Sequence, residues 1–140
     1  MPDAPTERTF VLIKPDAVRR GLTGTVIDRF ERRGLGIVTL QMRTIDGDLA
    51  DRHYAEHVER DFYPPLRAFV TSGPSVAMVL EGDQAIEVVR GINGATDGRK
   101  AAPGTIRGDF SLSNRENLVH GSDSAESAAR EIELWFPDLS

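Results

Sequence analysis

His120 lies between a short apolar stretch and a predicted helix N-terminus, and this position suits a reactive imidazole. His120 follows the apolar residues Leu118 and Val119 and precedes Gly121 and a polar stretch that favours a helix N-terminus. The N–H groups at a helix start attract anions such as phosphate. Glu131 lies 11 residues further on, where its carboxylate could reach back and fix the imidazole tautomer. The pattern indicates a nucleophilic histidine beside a phosphate site, and a purely structural histidine is the alternative.

A loop rich in glycine and arginine is the second chemical signal. Residues 94–115 show little periodicity, and a stretch of this length without regular structure is usually functional or mobile. Basic side chains cluster around the segment 103–110, namely Arg90, Arg99, Lys100 and Arg107. Guanidinium groups, a threonine hydroxyl and backbone N–H groups can bind phosphate without a P-loop. A solvated basic loop is the alternative interpretation.

Several common types of site are excluded. The chain has no cysteine, so disulfides, thiol nucleophiles and cysteine–zinc sites cannot form. Neither Lys14 nor Lys100 lies in a P-loop motif, and no G-x-G-x-x-G dinucleotide motif occurs. His53 and His57 have metal-ligand spacing, but Tyr54 takes the place of the glutamate of H-E-x-x-H. We therefore expect both of these histidines to be solvated on the surface, and we predict no metal site in the chain.

Length and composition predict one globular domain over residues 1–140. Hydrophobic residues make up 39% of the chain and charged residues 28%, which is a globular balance. The net charge of −5 disfavours a nucleic-acid partner, because such binding rests on phosphate neutralisation. No apolar run is long enough for a membrane span, and the first residues do not resemble a signal peptide. We expect a cytoplasmic protein with no membrane partner.

The elements that must position these groups alternate between strand and helix. Apolar, β-branched runs predict strands at residues 9–13, 36–43, 76–80 and 118–120. Helices are predicted to begin at caps provided by Thr23, Asp48, Asp83 and Asp123, with a further helical turn after Pro64-Pro65. The resulting β-α-β-(α)-β-α-β order allows a ferredoxin-like arrangement, and a small doubly wound parallel sheet is the alternative.

Three motifs together resemble the nucleoside diphosphate kinase family, in particular its short-tailed bacterial members. They are I-K-P-D at 13–16, G-T-I-R-G-D-F at 104–110 and N-L-V-H-G-S-D-S at 117–124, within a similarity that runs from about residue 7 to 136. The resemblance implies an α+β, ferredoxin-like four-stranded antiparallel sheet with extra helices and a long nucleotide-binding loop. It also implies γ-phosphate transfer from a nucleoside triphosphate, mainly ATP, to nucleoside diphosphates, by a ping-pong cycle through phosphohistidine with broad base specificity.

The resemblance also implies roles for individual residues. His120 matches the nucleophile, and Lys14 matches a lysine that contacts phosphate and the ribose 3′-hydroxyl. Tyr54, Ser122 and Glu131 match family positions around the histidine. Phe62 and Leu66 match family positions that bind the base. The family positions that bind phosphate match Arg90, Thr96 and Arg107, and the one that binds the ribose hydroxyl matches Asn117. Mg²⁺ is expected to be held through the nucleotide phosphates.

Some positions depart from the family pattern. Asp61 and the pair Asp97-Gly98 stand where prolines are frequent, and Asn114 stands where an apolar residue often lines the base. We expect these residues to loosen the backbone or to lower nucleotide affinity without changing the chemistry. A homo-oligomer is also implied, with a hexamer favoured and a tetramer possible. Two other functions stay open at this stage: a catalytically silent nucleotide-binding oligomer and a nucleic-acid-binding module.

Overall fold

A four-stranded sheet runs through the computed structural model of this chain, which describes residues 6–139. The strands are β1 (Glu7–Ile13), β2 (Gly36–Thr44), β3 (Pro74–Gly82) and β4 (Val119–Gly121). The helices are α1 (Pro15–Arg19), α2 (Thr23–Arg32), α3 (Gly47–His53), α4 (Tyr63–Val70), α5 (Ala85–Asn93), α6 (Ile106–Phe110) and α7 (Ala125–Trp135), with a 3₁₀ turn at Ala55–His57. Among these helices, none has the length and apolar character needed to cross a membrane.

The sheet has the strand order β2-β3-β1-β4, and every neighbouring pair is antiparallel. With α2 between β1 and β2 and α5 between β3 and β4, this is the βαββαβ order of a ferredoxin-like fold. Helices α3 and α4 form an insertion between β2 and β3. The ferredoxin-like prediction is confirmed, and the parallel-sheet alternative is wrong because no neighbouring strands run in the same direction.

Both faces of β1 are buried, which explains why its sequence is a continuous apolar run rather than an alternating one. Val11 and Ile13 belong to one apolar cluster, together with residues of α2 and α5. Phe10 and Leu12 belong to a second cluster on the opposite face, together with Trp135 and residues of α3 and α4. The central strand is therefore held from two sides, and anything paired to it is positioned rigidly.

Strand β4 carries His120 and pairs with β1. The register places Val119 opposite Ile13, His120 opposite Leu12 and Gly121 opposite Val11. Because β4 has only three residues, the chain leaves the sheet on either side of His120 within one or two residues. The imidazole thus sits on a rigid strand with irregular backbone on both sides, where a cleft can form.

Strand β2 is the edge strand at the other side of the sheet, and it pairs only with β3 among the described strands. Its apolar side chains are unusually exposed: Leu40 is 44% exposed and Met42 is 56% exposed. These two residues are separated by one position and therefore project from the same face of the strand. An apolar edge of this kind is typical of a surface that another chain covers.

The predicted helix caps each lie one or two residues from the observed ones. Leu22 precedes α2 without a side-chain bond, Asp46 rather than Asp48 caps α3, and Gln84 rather than Asp83 precedes α5. Ser124 rather than Asp123 caps α7. Each helix start contains several polar residues, and backbone conformation, which the residue types do not specify, selects the one that caps. At α5 a carboxylate from β1 replaces the cap, because Glu7 accepts the Ile86 N–H at 3.0 Å.

Candidate active site

A cleft of about 1170 Å³ opens beside His120, between the α3–α4 insertion, the C-terminal end of α5 and the loop that leads to β4. Nine of the residues predicted for the site line it: Lys14, Tyr54, Phe62, Leu66, Arg90, Thr96, Arg107, Asn117 and His120. The other two, Ser122 and Glu131, are buried and contact one another behind the His120 ring. The structure thus brings all the predicted site residues together around one cavity.

The His120 ring is held from behind by a carboxylate. Its Nε2 lies 3.1 Å from each carboxylate oxygen of Glu131. The Ser122 hydroxyl donates to Glu131 Oε1 at 2.6 Å, and the Phe10 N–H donates to the Ser122 hydroxyl oxygen at 3.2 Å. An ionised carboxylate accepts hydrogen bonds and cannot donate them, so the neutral imidazole carries its proton on Nε2 and donates it to Glu131. The Nδ1 lone pair is therefore left free for an electrophile.

A second histidine, His53, packs against His120, and this corrects the prediction that it is solvated. Its side chain is buried, its ring centroid lies 4.9 Å from that of His120, and the two ring planes are nearly perpendicular. The Trp135 indole N–H donates to His53 Nδ1 at 3.0 Å. Burial, followed by the nearby charge of His120, holds the pKa of His53 well below its ordinary value. His53 is therefore neutral, whereas His57 remains partly exposed at the cleft wall as expected.

His53, His120 and Glu131 also place three potential ligand atoms within 4.8 Å of one another, the one such group in the part of the chain that the structure describes. Their hydrogen bonds do not suit a metal. Because Trp135 donates to Nδ1 of His53, the neutral ring carries its own proton on Nε2 and has no free lone pair. A metal-binding histidine usually donates from its second nitrogen instead.

Tyr54 closes this side of the cleft. Its ring meets the edge of His53 at a centroid distance of 4.6 Å. Its hydroxyl is buried without a hydrogen-bond partner, and burial raises the pKa of the phenol above its ordinary value. The hydroxyl is therefore a protonated donor, and a buried donor of this kind gains a partner when a polar ligand enters the cleft.

Lys14 and Asn117 form the floor of the cleft. Lys14 follows β1 directly, is 7% exposed, and donates from Nζ to Asn117 Oδ1 at 2.9 Å. The Asn117 amide nitrogen donates to the carbonyl oxygens of Thr96 and Asn114, at 2.9 and 3.1 Å. Burial, together with the charge of Arg107, lowers the pKa of Lys14 to about 8, although Asp16 opposes the shift. The lowered pKa means that the surrounding groups do not fully compensate the positive charge of the ammonium group, which is therefore suited to an anionic ligand.

Two arginines complete what we call the cationic end of the cleft, defined by Lys14, Arg90 and Arg107. The Arg107 guanidinium donates to the carbonyl oxygens of Gly94 and Asn117, at 2.7 and 3.2 Å, and to that of Val119. Burial, followed by the charge of Arg90, lowers the pKa of Arg107 to about 10. No carboxylate is paired with any of the three cations in the described structure. Three close cations without anionic partners favour a polyanion such as a nucleotide phosphate.

The opposite part, the aromatic end, is defined by His57, Phe62 and Leu66. Phe62 is 49% exposed, which is unusual for a large apolar ring, and it lies 5.5 Å from the His57 ring between centroids. An exposed ring at a cleft mouth is suited to stacking on a flat ligand such as a nucleobase.

The loop over the cationic end is more tightly packed than its sequence suggests. We expected Gly98 to loosen it, but a Cβ atom built on Gly98 would clash with the carbonyl oxygen and side chain of Ser111. Its N–H donates to the Ser113 carbonyl oxygen at 3.1 Å. Thr105 caps the short helix α6 within this loop and so places Arg107 in its first turn. The glycine permits a close backbone approach that any other residue would prevent.

The fold and the site together define a class of protein. A ferredoxin-like sheet presents a histidine with a free Nδ1 to a cleft that has unpaired cations at one end and an exposed aromatic ring at the other. This arrangement is typical of an enzyme that handles nucleotide phosphates.

Comparison with known proteins identifies the family. The family model described as "Nucleoside diphosphate kinase" matches residues 7–140. A nucleoside diphosphate kinase of Nocardioides sp. is 71% identical over 132 residues, covering 94% of this chain and 98% of that protein. One from Rhodococcus jostii is 62% identical over 136 residues, covering 96% of this chain and 98% of that protein.

Comparison with solved structures identifies the same family. A halophilic nucleoside diphosphate kinase from Halobacterium salinarum, in complex with CDP, superposes with a TM-score of 0.93 at 49% identity, over 96% of this chain and 90% of that one. A family protein from Babesia bovis gives 0.90 at 43% identity, over 93% and 88%. The chain belongs to the nucleoside diphosphate kinase family, and it is an enzyme that transfers phosphate between nucleotides.

Proposed function

We propose that this enzyme transfers the γ-phosphate of a nucleoside triphosphate, mainly ATP, to Nδ1 of His120 and then to a nucleoside diphosphate. The observation that carries the proposal is the 3.1 Å contact between His120 Nε2 and Glu131, which leaves Nδ1 unprotonated on the cleft side. In the first step the Nδ1–phosphorus bond forms as the bond to the β-phosphate oxygen breaks. In the second step a terminal oxygen of the nucleoside diphosphate attacks that phosphorus, and the Nδ1–phosphorus bond breaks to give the triphosphate and the free imidazole.

Glu131 acts through the imidazole. A phosphorylated imidazole carries positive charge while Nε2 keeps its proton, and a carboxylate bonded to that proton stabilises this charge. The Ser122 hydroxyl fixes the carboxylate through a bond of 2.6 Å, and the Phe10 N–H holds that hydroxyl in turn at 3.2 Å. The ring thus holds its orientation through both half-reactions, as in-line transfer requires.

The cationic end would bind the phosphate chain. Phosphoryl transfer needs positioning and neutralisation of oxygen charge more than covalent assistance. Lys14 and Arg107 reach the cleft from rigid backbone, and Arg90 reaches it from the C-terminal half of α5. The Tyr54 hydroxyl, buried without a partner, would donate to a phosphate oxygen close to His120.

Sugar and base would lie further out. Asn117 has a fixed amide for a ribose hydroxyl, and Thr96 lines the cleft next to it. Phe62 would stack on the base, with Leu66 beside it. Stacking uses the face that every base possesses, so the proposal predicts broad base specificity.

Magnesium would be bound as part of the nucleotide substrate. The acidic residues that line the cleft, Glu87, Glu116 and Asp123, are not grouped at metal-ligand spacing. Mg²⁺ usually binds through one or two carboxylates together with substrate phosphates and water. It would therefore enter on the nucleotide, where it neutralises charge that the three cations do not reach.

Assembly and location complete the proposal. We propose that the whole chain acts as one domain in a homo-oligomer, a hexamer in preference to a tetramer, in the cytoplasm. The exposed apolar side chains of Leu40 and Met42 on edge strand β2 support an interface between copies. Light scattering behind a sizing column should give six times the chain mass, and Met42→Lys should reduce it.

Initial-rate kinetics test the reaction. With ATP as donor and CDP, GDP or dTDP as acceptor, double-reciprocal plots should be parallel, as a covalent intermediate requires. Intersecting lines would mean direct transfer between two bound nucleotides. Nucleotide binding without any exchange would favour the silent, regulatory alternative.

A further inference from the structure

The backbone just before His120 makes a strained turn. Leu118 has a φ of 75°, a left-handed conformation that is rare for a residue other than glycine, and its side chain is fully buried. The Val119 N–H donates to the Asn117 carbonyl oxygen at 2.8 Å, which closes a γ-turn around Leu118. A γ-turn with positive φ persists only where its surroundings hold it. Residues with strained backbone conformations of this kind are found most often at functional sites.

The turn connects two parts of the site. Asn117, on one side, carries the amide that accepts from Lys14 and faces the cleft. His120 follows two residues after Leu118. Because the γ-turn reverses the chain within three residues, any relaxation of Leu118 changes the distance between the Asn117 amide and the His120 ring.

Two groups hold Leu118 from the start of α1. The Lys14 N–H donates to the Leu118 carbonyl oxygen at 2.8 Å. The Leu118 N–H donates to Asp16 Oδ2 at 3.1 Å. The first bond joins backbone to backbone and survives substitution at Lys14, whereas the second depends on one side chain.

Arg107 holds the flanks of the turn. It donates to the carbonyl oxygens of Asn117 and Val119, so the residue on either side of Leu118 is restrained. It does not reach the Leu118 N–H. Of the groups that the structure describes around the turn, the Asp16 carboxylate is the one that satisfies this donor.

The Asp16 carboxylate lies in a buried environment that disfavours its negative charge. It is 4% exposed, and its second oxygen, Oδ1, is buried without a partner in the described structure. Burial raises the pKa of its carboxyl above the ordinary value, and the charge of Lys14 and hydrogen bonding to backbone N–H groups, that of Leu118 among them, oppose this only in part. Asp16 does not line the cleft, so it has no contact with a ligand there. Among the described residues, the one hydrogen bond that this buried carboxylate accepts from across the fold is that of the Leu118 N–H, so its role is to be sought in what it positions.

We propose that Asp16 is a positioning residue for phosphate transfer: its carboxylate holds the Leu118 γ-turn, and that turn sets the His120 ring against the Asn117 amide. The proposal rests on the proposed nucleophilic role of His120.

The test compares Asp16→Ala with Asp16→Asn. Loss of the carboxylate leaves the Leu118 N–H unpaired and lets the turn relax, so Asp16→Ala should lower the rate of phosphoenzyme formation from ATP about 10- to 100-fold. The KM for ATP should change far less than the rate. Asparagine presents a carbonyl oxygen at the same place, so Asp16→Asn should recover most of the rate.

Asp46→Ala is the matched control. The Asp46 carboxylate also accepts one backbone N–H, that of Leu49 at 2.8 Å, but it lies at the start of α3 outside the cleft. Its loss should lower the melting temperature and leave the phosphorylation rate per folded molecule unchanged. Amide hydrogen exchange is measured on Asp16→Asn, which we expect to fold even if Asp16→Ala does not. Exchange should quicken at Leu118, because the neutral acceptor is weaker, and stay unchanged in β3.

Three results would overturn the proposal. One is a wild-type phosphorylation rate in Asp16→Ala, and another is a rate loss that merely follows the folded fraction, as in a destabilised protein. The third is unchanged exchange at Leu118 in Asp16→Asn. Absence of any phosphoenzyme in the wild-type protein is a separate outcome, because it removes the role of His120 itself.

Discussion

At the cationic end of the cleft, Lys14 and Arg107 are held by hydrogen bonds to an amide oxygen and to three backbone carbonyls. At the aromatic end, the Phe62 ring is half-exposed, and the His57 ring lies 5.5 Å away between centroids. One cleft can therefore hold the groups that contact the reacting phosphate in fixed positions while it accepts different bases. Charges that meet the reacting phosphate must be fixed beforehand, because reorganisation during transfer would raise the barrier. A stacking ring needs only a flat partner.

The largest effect should come from removing a charge at the cationic end. Lys14→Ala should lower kcat/KM about 100- to 1000-fold, since it removes a buried ammonium that faces the reacting phosphate and leaves the Asn117 amide without its donor. Lys100, the other lysine, is exposed and outside the cleft, so Lys100→Ala is the control. Similar losses in both variants would remove the distinction between a fixed site and general surface charge.

The next effect should come from Glu131, which touches His120 and not the cleft. Glu131→Gln keeps the shape but removes the negative charge that stabilises a phosphorylated imidazole, so the phosphorylation rate should fall about 10- to 100-fold. Glu133→Gln, an exposed change on the same helix, should be silent. Rapid-quench measurements at saturating ATP distinguish a slower phosphorylation step in Glu131→Gln from weaker ATP binding. Weaker binding would raise KM and leave the rate at saturation unchanged.

A smaller, uniform effect should follow at the aromatic end. Phe62→Ala should raise KM about tenfold for every nucleoside diphosphate, because stacking contributes a similar free energy with each base. Phe62→Trp retains a stacking face and should stay near wild type. If the alanine variant lost purine nucleotides and spared pyrimidine ones, the aromatic end would be selective, and the contrast between the two ends would be wrong.

The smallest effect is a pH dependence that separates binding from stability. The pKa of Lys14 is lowered to about 8 in the folded protein from 10.5, so its charge is lost as pH rises through about 8, and KM for ATP should rise severalfold by pH 9. Between about pH 8 and 10.5 the unfolded chain retains a proton that the folded chain has lost. The contribution of Lys14 to the free energy of unfolding therefore increases with pH over that window.

Denaturant titrations across that pH window, compared between the wild type and Lys14→Met, measure this contribution. A contribution that decreased with pH would contradict the burial of the ammonium group.

The two ends also differ in how far the amino-acid sequence predicts them. Lys14, Arg107, Asn117 and His120 lie in or next to local motifs and could be identified from them. The other predicted cleft residues, such as Phe62, could be identified only from their positions within the family resemblance. Element order narrowed the fold to a ferredoxin-like sheet or a small parallel one, and the resemblance to the nucleoside diphosphate kinase family favoured the first. The helix caps were misplaced, because several polar residues compete at each helix start.

Long-range contacts behind the site could not be predicted. His53 was expected on the surface because Tyr54 takes the place of the glutamate of H-E-x-x-H, which left the histidine pair without a metal-binding role. Its burial depends on Trp135, 82 residues away. The bond between Asp16 and Leu118 spans 102 residues and exists only because β1 and β4 pair. The only local signal at Asp16 was its place in the I-K-P-D motif, and no local signal marks Leu118 as strained.

The central claim is that His120 receives the phosphate. Incubation with γ-labelled ATP should give an acid-labile, base-stable phosphoenzyme that releases its label to CDP, and His120→Ala should abolish it while still binding ADP. His53→Ala, which removes the buried neighbouring ring, should still become labelled. Label that persists in His120→Ala, or that maps to His53, would contradict the account.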